Sequence, residues 1–283
     1  GASYTALTGK ALPTITGDVS LGFGVVGVET FNSPLSASRS MDLFKGSGRV
    51  NIPFSDRWNF EFEATGHHEW GAGAGLDSSD VGANGHLWAR LPAAALGVFG
   101  GVSSGVGPIW WTPASIIWPT GMALTSATAG IEGEVYLGNL TLGGQASTSW
   151  HTATAQLMSA DFFTWQLRAY ADYYLTANDK ISGDVTFTDP PSANEIFIPS
   201  QTSWLFTGRA EHRFAGTPWS IWGLASYETL SSSPLGPPAY LPAISEHRWT
   251  WLLGVQLFMD QPGSTLQGHD RAVPFNYDSH LNI

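Results

Sequence analysis

Trp58-Asn59-Phe60-Glu61-Phe62-Glu63-Ala64-Thr65 alternates apolar and polar residues without a break. Successive side chains of a strand point to opposite faces, so this stretch has one aromatic face and one acidic face. A helix would scatter both sets around its surface. The residues therefore specify a strand, and the fold turns on what covers its apolar side.

The same period recurs outward in both directions. Read this way, the chain holds about twelve strands. Before the quoted stretch, which continues to His68, lie Thr16–Glu29 and Leu43–Pro53. After it come Gly85–Leu91, Ala95–Ser104, Thr125–Leu137, Leu140–Trp150, Phe163–Thr176, Lys180–Thr188, Thr202–Phe214, Trp219–Leu230 and His247–Met259. The connections alternate. Pro53–Arg57, Pro92–Ala94, Gly138–Asn139, Ala177–Asp179 and Ala215–Pro218 read as tight turns. Thr30–Asp42, Glu69–Asn84, Gly105–Leu124, His151–Phe162, Asp189–Gln201 and Ser231–Glu246 read as longer segments. A soluble sandwich also alternates apolar and polar faces, but it has no reason to place short and long connections at opposite ends. A membrane-spanning up-and-down barrel does.

Composition points the same way. Charged residues are 12% of the 283, about half the ~25% usual for soluble domains. The only lysines are Lys10, Lys45 and Lys180. A surface covered by lipid does not need them. The net charge of −11 argues against nucleic acid, whose phosphates demand basic residues. Cysteine is absent, which suits an oxidising compartment. No stretch approaches the ~18 apolar residues of a membrane helix. No signal peptide is visible at the start, so a barrel of this kind is expected to be the mature form of a secreted precursor.

Tryptophan placement adds a third signal. Trp58 and Trp219 open strands at the short-turn end. Trp70, Trp110, Trp111, Trp118, Trp150, Trp165, Trp204, Trp249 and Trp251 fall at or beyond the other end. Two aromatic girdles at the membrane interfaces are expected from this.

With these features the chain, over about Thr16 to Met259, resembles a Gram-negative outer-membrane β-barrel of broadly porin-like architecture. Leu252-Leu253-Gly254-Val255-Gln256-Leu257-Phe258-Met259 partly resembles the assembly signal of that class, which usually ends the chain on an aromatic residue. Here a polar tail follows. The resemblance implies an outer-membrane location, contact with lipid and lipopolysaccharide, and a periplasmic short-turn side. Residues 1–15 would then be a periplasmic segment, 16–260 the barrel and 261–283 a periplasmic tail. The tail is either a flexible terminus or a segment docking in the lumen or on a periplasmic partner, helped by Val273, Pro274, Phe275 and Tyr277.

The inward rows hold the candidate pore lining: Lys45, Arg49, Glu61, Glu63, Arg90, Glu132, Glu134, Arg168, Tyr170, Asp172, Arg209, Glu211, Arg213 and Arg248. Basic residues gather on the second, tenth and twelfth strands, acidic ones on the third and sixth. Opposed charged walls orient dipolar solutes; alternatively the charges pair into a network that fills the lumen. A barrel of this size lies between ~8 strands, which side chains fill, and ~16, which leave a channel.

The loop 105–124 carries Trp110, Trp111 and Trp118, too apolar to wave in water, and is expected to constrict the mouth or meet a partner. His67-His68-Glu69 with Asp77 and Asp80, read as one outer loop, matches no metal spacing, and neither metal nor cofactor is expected. Asp42, Glu69, Asp77, Asp80, Asp161, Glu195 and Glu246, read as outer-loop acids, are expected to meet cations bridging lipopolysaccharide phosphates. His67, His68, His151 and His247 lie near the outer rim, but no G-x-S-x-G occurs and nothing singles out a Ser/His pair. The expected function is passive passage of ions or small polar solutes. A plugged structural or partner-binding barrel is the first alternative, and a lipid-modifying hydrolase the second.

Overall fold

The computed structural model describes residues 14–31, 38–71, 77–107, 122–155, 158–189, 201–232, 245–260 and 264–275. Twelve strands form one closed antiparallel barrel: β1 (Thr16–Phe31), β2 (Ser38–Pro53), β3 (Trp58–Trp70), β4 (Ser78–Leu91), β5 (Ala94–Gly107), β6 (Met122–Leu137), β7 (Leu140–Ala155), β8 (Met158–Thr176), β9 (Asp179–Asp189), β10 (Gln201–Arg213), β11 (Trp219–Ser232) and β12 (Ser245–Phe258). Each strand pairs with its chain neighbours, and β1 closes on β12 with Gly22 opposite Gly254. A short helix, α1 (Leu266–Ala272), follows.

The alternation in the sequence sets which side chains point outward. On β3, Phe60 and Phe62 are exposed while Glu61 and Glu63 are fully buried. On β1, Val19, Leu21, Phe23 and Val25 face out. An apolar belt around the whole wall would be an aggregation surface in water and is the expected lipid contact of a spanning barrel. Trp58 and Trp219 face outward at the short-turn end, and Trp150, Trp204 and Trp249 face outward toward the other. Trp88 and Trp222 instead point into the barrel and are buried.

The short turns are built from local chemistry. Gly138 takes a φ of 62° in the two-residue turn between the paired Leu137 and Leu140, a left-handed conformation that glycine adopts without strain. Before β3, the Ser55 hydroxyl accepts the Trp58 N–H at 2.9 Å.

Several strands run further than the sequence pattern predicts, mostly at the end away from the tight turns. β4 begins at Ser78 rather than Gly85: in Ser78–Asn84 only Val81 is a large apolar residue, so the alternation there is too faint to read. The segment His151–Phe162, expected as a longer connection, is almost wholly strand: β7 reaches Ala155 and β8 starts at Met158. The connection there spans only residues 156–157, so the short–long alternation breaks at that one point. His67, His68 and Glu69 likewise belong to β3 and Asp80 to β4, not to an outer loop. Glu69, Asp80 and Glu246 are buried in the lumen. They are pointed inward by strand parity and are not available to bridge surface phosphates. Glu195 and the loop tryptophans Trp110, Trp111 and Trp118 lie outside the described residues, as does the N-terminal segment 1–13.

The interior is not uniformly polar. Val26, Val28, Met41, Leu43, Trp222 and Leu252 form a buried apolar cluster on the β11–β12–β1–β2 wall. The Trp222 ring lies against Gly22 and Gly254; a Cβ at either position would overlap it. The Arg209 guanidinium covers the ring, 4.7 Å from its centroid.

Candidate functional site: the lumen and its plug

At the short-turn end the lumen is occupied by the chain's own tail. After Phe258 the backbone turns back into the barrel and forms α1. Thr265 caps this helix by accepting the Gly268 N–H at 3.1 Å. Seven residues are too few to hold a helix in water unaided, so the barrel wall supplies the stability. Leu266 is fully buried with Tyr174 and Phe258. Its N–H donates to Asn178 Oδ1 at 3.2 Å, and the Gln267 N–H donates to Ala177 O at 3.1 Å.

His269 sits at the centre of the plug. One ring nitrogen lies 3.1 Å from Asp18 Oδ2 and the other 3.1 Å from Asp260 Oδ2. Carboxylates only accept, so both nitrogens must carry protons and the ring is an imidazolium. Burial opposes that charge, but the bonds to Asp18 and Asp260 outweigh it and raise the His269 pKa. Asp260 shows the reverse balance: burial pushes it up, yet His269 and Arg213 hold it down at about 2. The outer members of this chain are Arg49, bonded to Asp18 at 2.6 Å, and Arg213, bonded to Asp260 at 2.8 and 2.9 Å.

The next residue extends the anchor. Asp270 Oδ2 accepts from Lys180 Nζ at 2.7 Å and from the Tyr174 hydroxyl at 2.8 Å. Burial alone would raise its pKa; Lys180 and His269 lower it overall. Arg271 donates to Gly138 O, and Asn51 Nδ2 donates to Ala272 O at 3.2 Å. Phe275 closes the far side, fully buried and edge-on to Trp88 with centroids 6.3 Å apart. Its N–H donates to Glu134 Oε1 at 3.2 Å. Phe275 takes a φ of 69°, a strained value for an aromatic residue that persists only where the surroundings fix it.

Above the plug the predicted lining residues come together, largely as pairs. Arg168 binds Asp184 and also donates to Gln145 at 3.3 Å. Arg209 binds Glu211 at 3.0 Å and Gln256 at 2.8 Å. Tyr170 donates to Glu134 at 2.6 Å. Glu132 meets His86 at 2.9 Å and Gln145 at 3.1 Å, and Glu63 lies 3.9 Å from His86. Neither oxygen of the fully buried Glu61 has a hydrogen-bond partner; its opposite charge is Arg49. Asp172 and Asp270 line the same cavity. Arg90 stands at the mouth, 3.4 Å from the Ala272 carbonyl.

Near the opposite end His67 meets Asp80 at 2.7 Å, and Arg248 binds Glu69. Lys45 lines a small cavity beside them. Facing the apolar wall, Ser126 Oγ lies 2.7 Å from His151 Nδ1, whose other nitrogen meets Thr164 Oγ1 at 2.9 Å. The opposed charged walls are thus mostly neutralised in place. The lumen above the plug holds cavities of about 60 and 40 Å³, room for a few waters each.

Asp18, His86, Gln145, Lys180 and the tail residues His269 and Asp270 were not among the predicted lining residues. Strand parity alone marks the first four as inward; the partners that make them matter are distant in the chain.

No protein-family model matches the chain, and no curated protein matches it in sequence. Among solved structures it is similar to a FadL homologue from Pseudomonas aeruginosa, at 11% identity and TM-score 0.50, covering 86% of this chain and 90% of that one. It is similar to the translocator domain of the autotransporter NalP from Neisseria meningitidis at 11% identity and TM-score 0.50, covering 86% and 88%. An outer membrane channel from Pseudomonas putida F1 matches at 12% identity and TM-score 0.50, covering 88% and 97%. The chain therefore has the fold of the bacterial outer-membrane β-barrels.

Proposed function

We propose that the protein is an outer-membrane channel for ions or small polar solutes whose periplasmic mouth is closed by its own C-terminal tail. The observation that carries this reading is the anchoring of α1 inside the short-turn end of the lumen. His269 and Asp270 bridge the tail to Asp18, Lys180 and Tyr174, so the closure rests on a small set of ionic contacts whose strength changes with protonation. The fold neighbours include channels, which supports a passage role; the charged wall favours polar solutes.

A permanently sealed structural barrel is the second reading, favoured by the burial of Phe275 against Trp88. The hydrolase reading has less support: the far nitrogen of His151 meets a hydroxyl, so the Ser126 pair lacks the carboxylate that would stabilise an imidazolium.

Single-channel recording in planar bilayers tests the proposal on the full chain and on a chain lacking residues 262–283, each checked for folding by heat-modifiable gel mobility. The channel reading expects rare openings from the first and stable conductance steps from the second. A folded, tail-deleted barrel that stays silent would leave the sealed reading.

A further inference from the structure

We propose that the docked tail is a tethered competitor for a carboxylate-binding site in the lumen, and that the pocket holding Asp270 takes the carboxylate of a small monocarboxylate solute. This rests on the reading of the tail as a removable plug.

Asp270 Oδ2 receives two short charge-assisted bonds, from Lys180 Nζ at 2.7 Å and the Tyr174 hydroxyl at 2.8 Å. Both donors are buried, Lys180 at 5% and Tyr174 at 1% exposure, and they stand directly opposite each other on β9 and β8. The other carboxylate near Lys180 is Glu211, at 3.7 Å. Its oxygens are already engaged, one by the Ser220 hydroxyl at 2.6 Å and the other by Arg209 at 3.0 Å. Lys180 therefore depends on Asp270 for its short bond. When the tail withdraws, the Lys180 ammonium and the Tyr174 hydroxyl lose their shared acceptor, and a free carboxylate restores both charge-assisted bonds.

The space for such a guest adjoins the Asp270 side chain. The cavity of about 60 Å³ there is lined by Arg49, Arg168, Lys180 and Arg209 of the wall, against the acids Glu134, Asp172 and Asp184. With Asp270 gone, the basic side chains of the wall outnumber the acidic ones, a balance that draws in one negative charge. The same three acids set the limit: they repel a second negative charge on the guest, so a monocarboxylate fits and a dicarboxylate does not.

The test is chemical rescue in the full-length chain. Asp270→Ala removes the tethered carboxylate and leaves its pocket empty; calorimetric titration then measures acetate binding to the detergent-folded protein. The proposal expects saturable binding at least tenfold tighter than in the unsubstituted chain. It also expects loss of that binding in Asp270→Ala/Lys180→Met, and none for succinate at the same concentration. Asp270→Asn, which keeps the shape and fills the pocket, is expected to bind no acetate. Absence of saturable acetate binding to Asp270→Ala, or binding that Lys180→Met leaves unchanged, overturns the site. Bilayer recording on the same Asp270→Ala protein separates the two ideas. Acetate binding without increased opening removes the plug reading and keeps the site; increased opening without acetate binding does the opposite.

Discussion

His269 hydrogen-bonds Asp18 at 3.1 Å, although the two residues are 251 positions apart in the chain. One stands on the first strand and the other on the helix after the last. Their contact, shared with Asp260, fastens the tail inside the barrel near the seam where β1 meets β12.

Docking is predicted to depend on pH through this contact. The His269 pKa is raised by docking, so its contribution is full below the free value of ~6.5 and is lost as pH rises through the docked value. Between those two values, channel opening is expected to rise by up to about tenfold per pH unit. Asp260 and Asp270 are lowered by docking. Their contribution is present above the free value of ~4 and is lost as pH falls through the docked values. Opening is therefore least at about pH 4–6.5. His269→Gln is expected to raise opening at pH 6 and flatten the alkaline limb. An unchanged alkaline limb in that variant would contradict the assignment.

Phe275→Ala is expected to loosen the tail and leave the barrel intact. Truncating a fully buried phenylalanine costs about 3–5 kcal/mol, and here the loss falls on the Phe275–Trp88 contact. Limited proteolysis should cut the tail much faster, while heat-modifiable mobility of the barrel is unchanged. Equal cleavage rates would mean that Phe275 does not hold the tail.

Gly22→Leu is expected to destabilise the barrel by forcing Trp222 out of its place over Gly22 and Gly254, since only that ring stands where the new side chain would go. Overpacking of this kind costs about 1–3 kcal/mol. Trp222→Ala in the same chain should recover most of it, because the ring is the obstacle. Urea unfolding in vesicles reads both; destabilisation without recovery would place the conflict elsewhere.

How much of this was legible in the sequence differs by region. On β3 the alternation from Trp58 to Thr65 predicts every inward and outward residue correctly. On β1 it fails at Val26 and Val28, which are apolar yet inward, because an interior apolar cluster leaves no contrast between faces. The added residues of β4, β7 and β8 mix small, polar and apolar side chains over short stretches, which leaves little contrast between faces to read. Asp18 stands opposite Arg49 across the neighbouring strands β1 and β2, a pairing that needs their register; the pairing of Lys180 with Asp270 was not readable at all, because it needs the return of the tail.

The outward belt makes its own prediction. Leu253 is 75% exposed in the middle of β12, facing lipid. Leu253→Arg is expected to cost about 2–4 kcal/mol in bilayers. Leu253→Ala should cost distinctly less, by the same vesicle unfolding assay. Equal costs would deny this face a hydrocarbon surrounding.

The central claim is that the docked tail closes the lumen at the short-turn end. The chain has no cysteine, so a single engineered pair can lock the tail without interference. Asn51 and Ala272 are already joined by a hydrogen bond of 3.2 Å. Asn51→Cys/Ala272→Cys would be recorded in a planar bilayer at alkaline pH, where docking is weakest. The account predicts silence when the pair is oxidised and conductance that appears on reduction and vanishes on reoxidation. The same conductance in both redox states would contradict it.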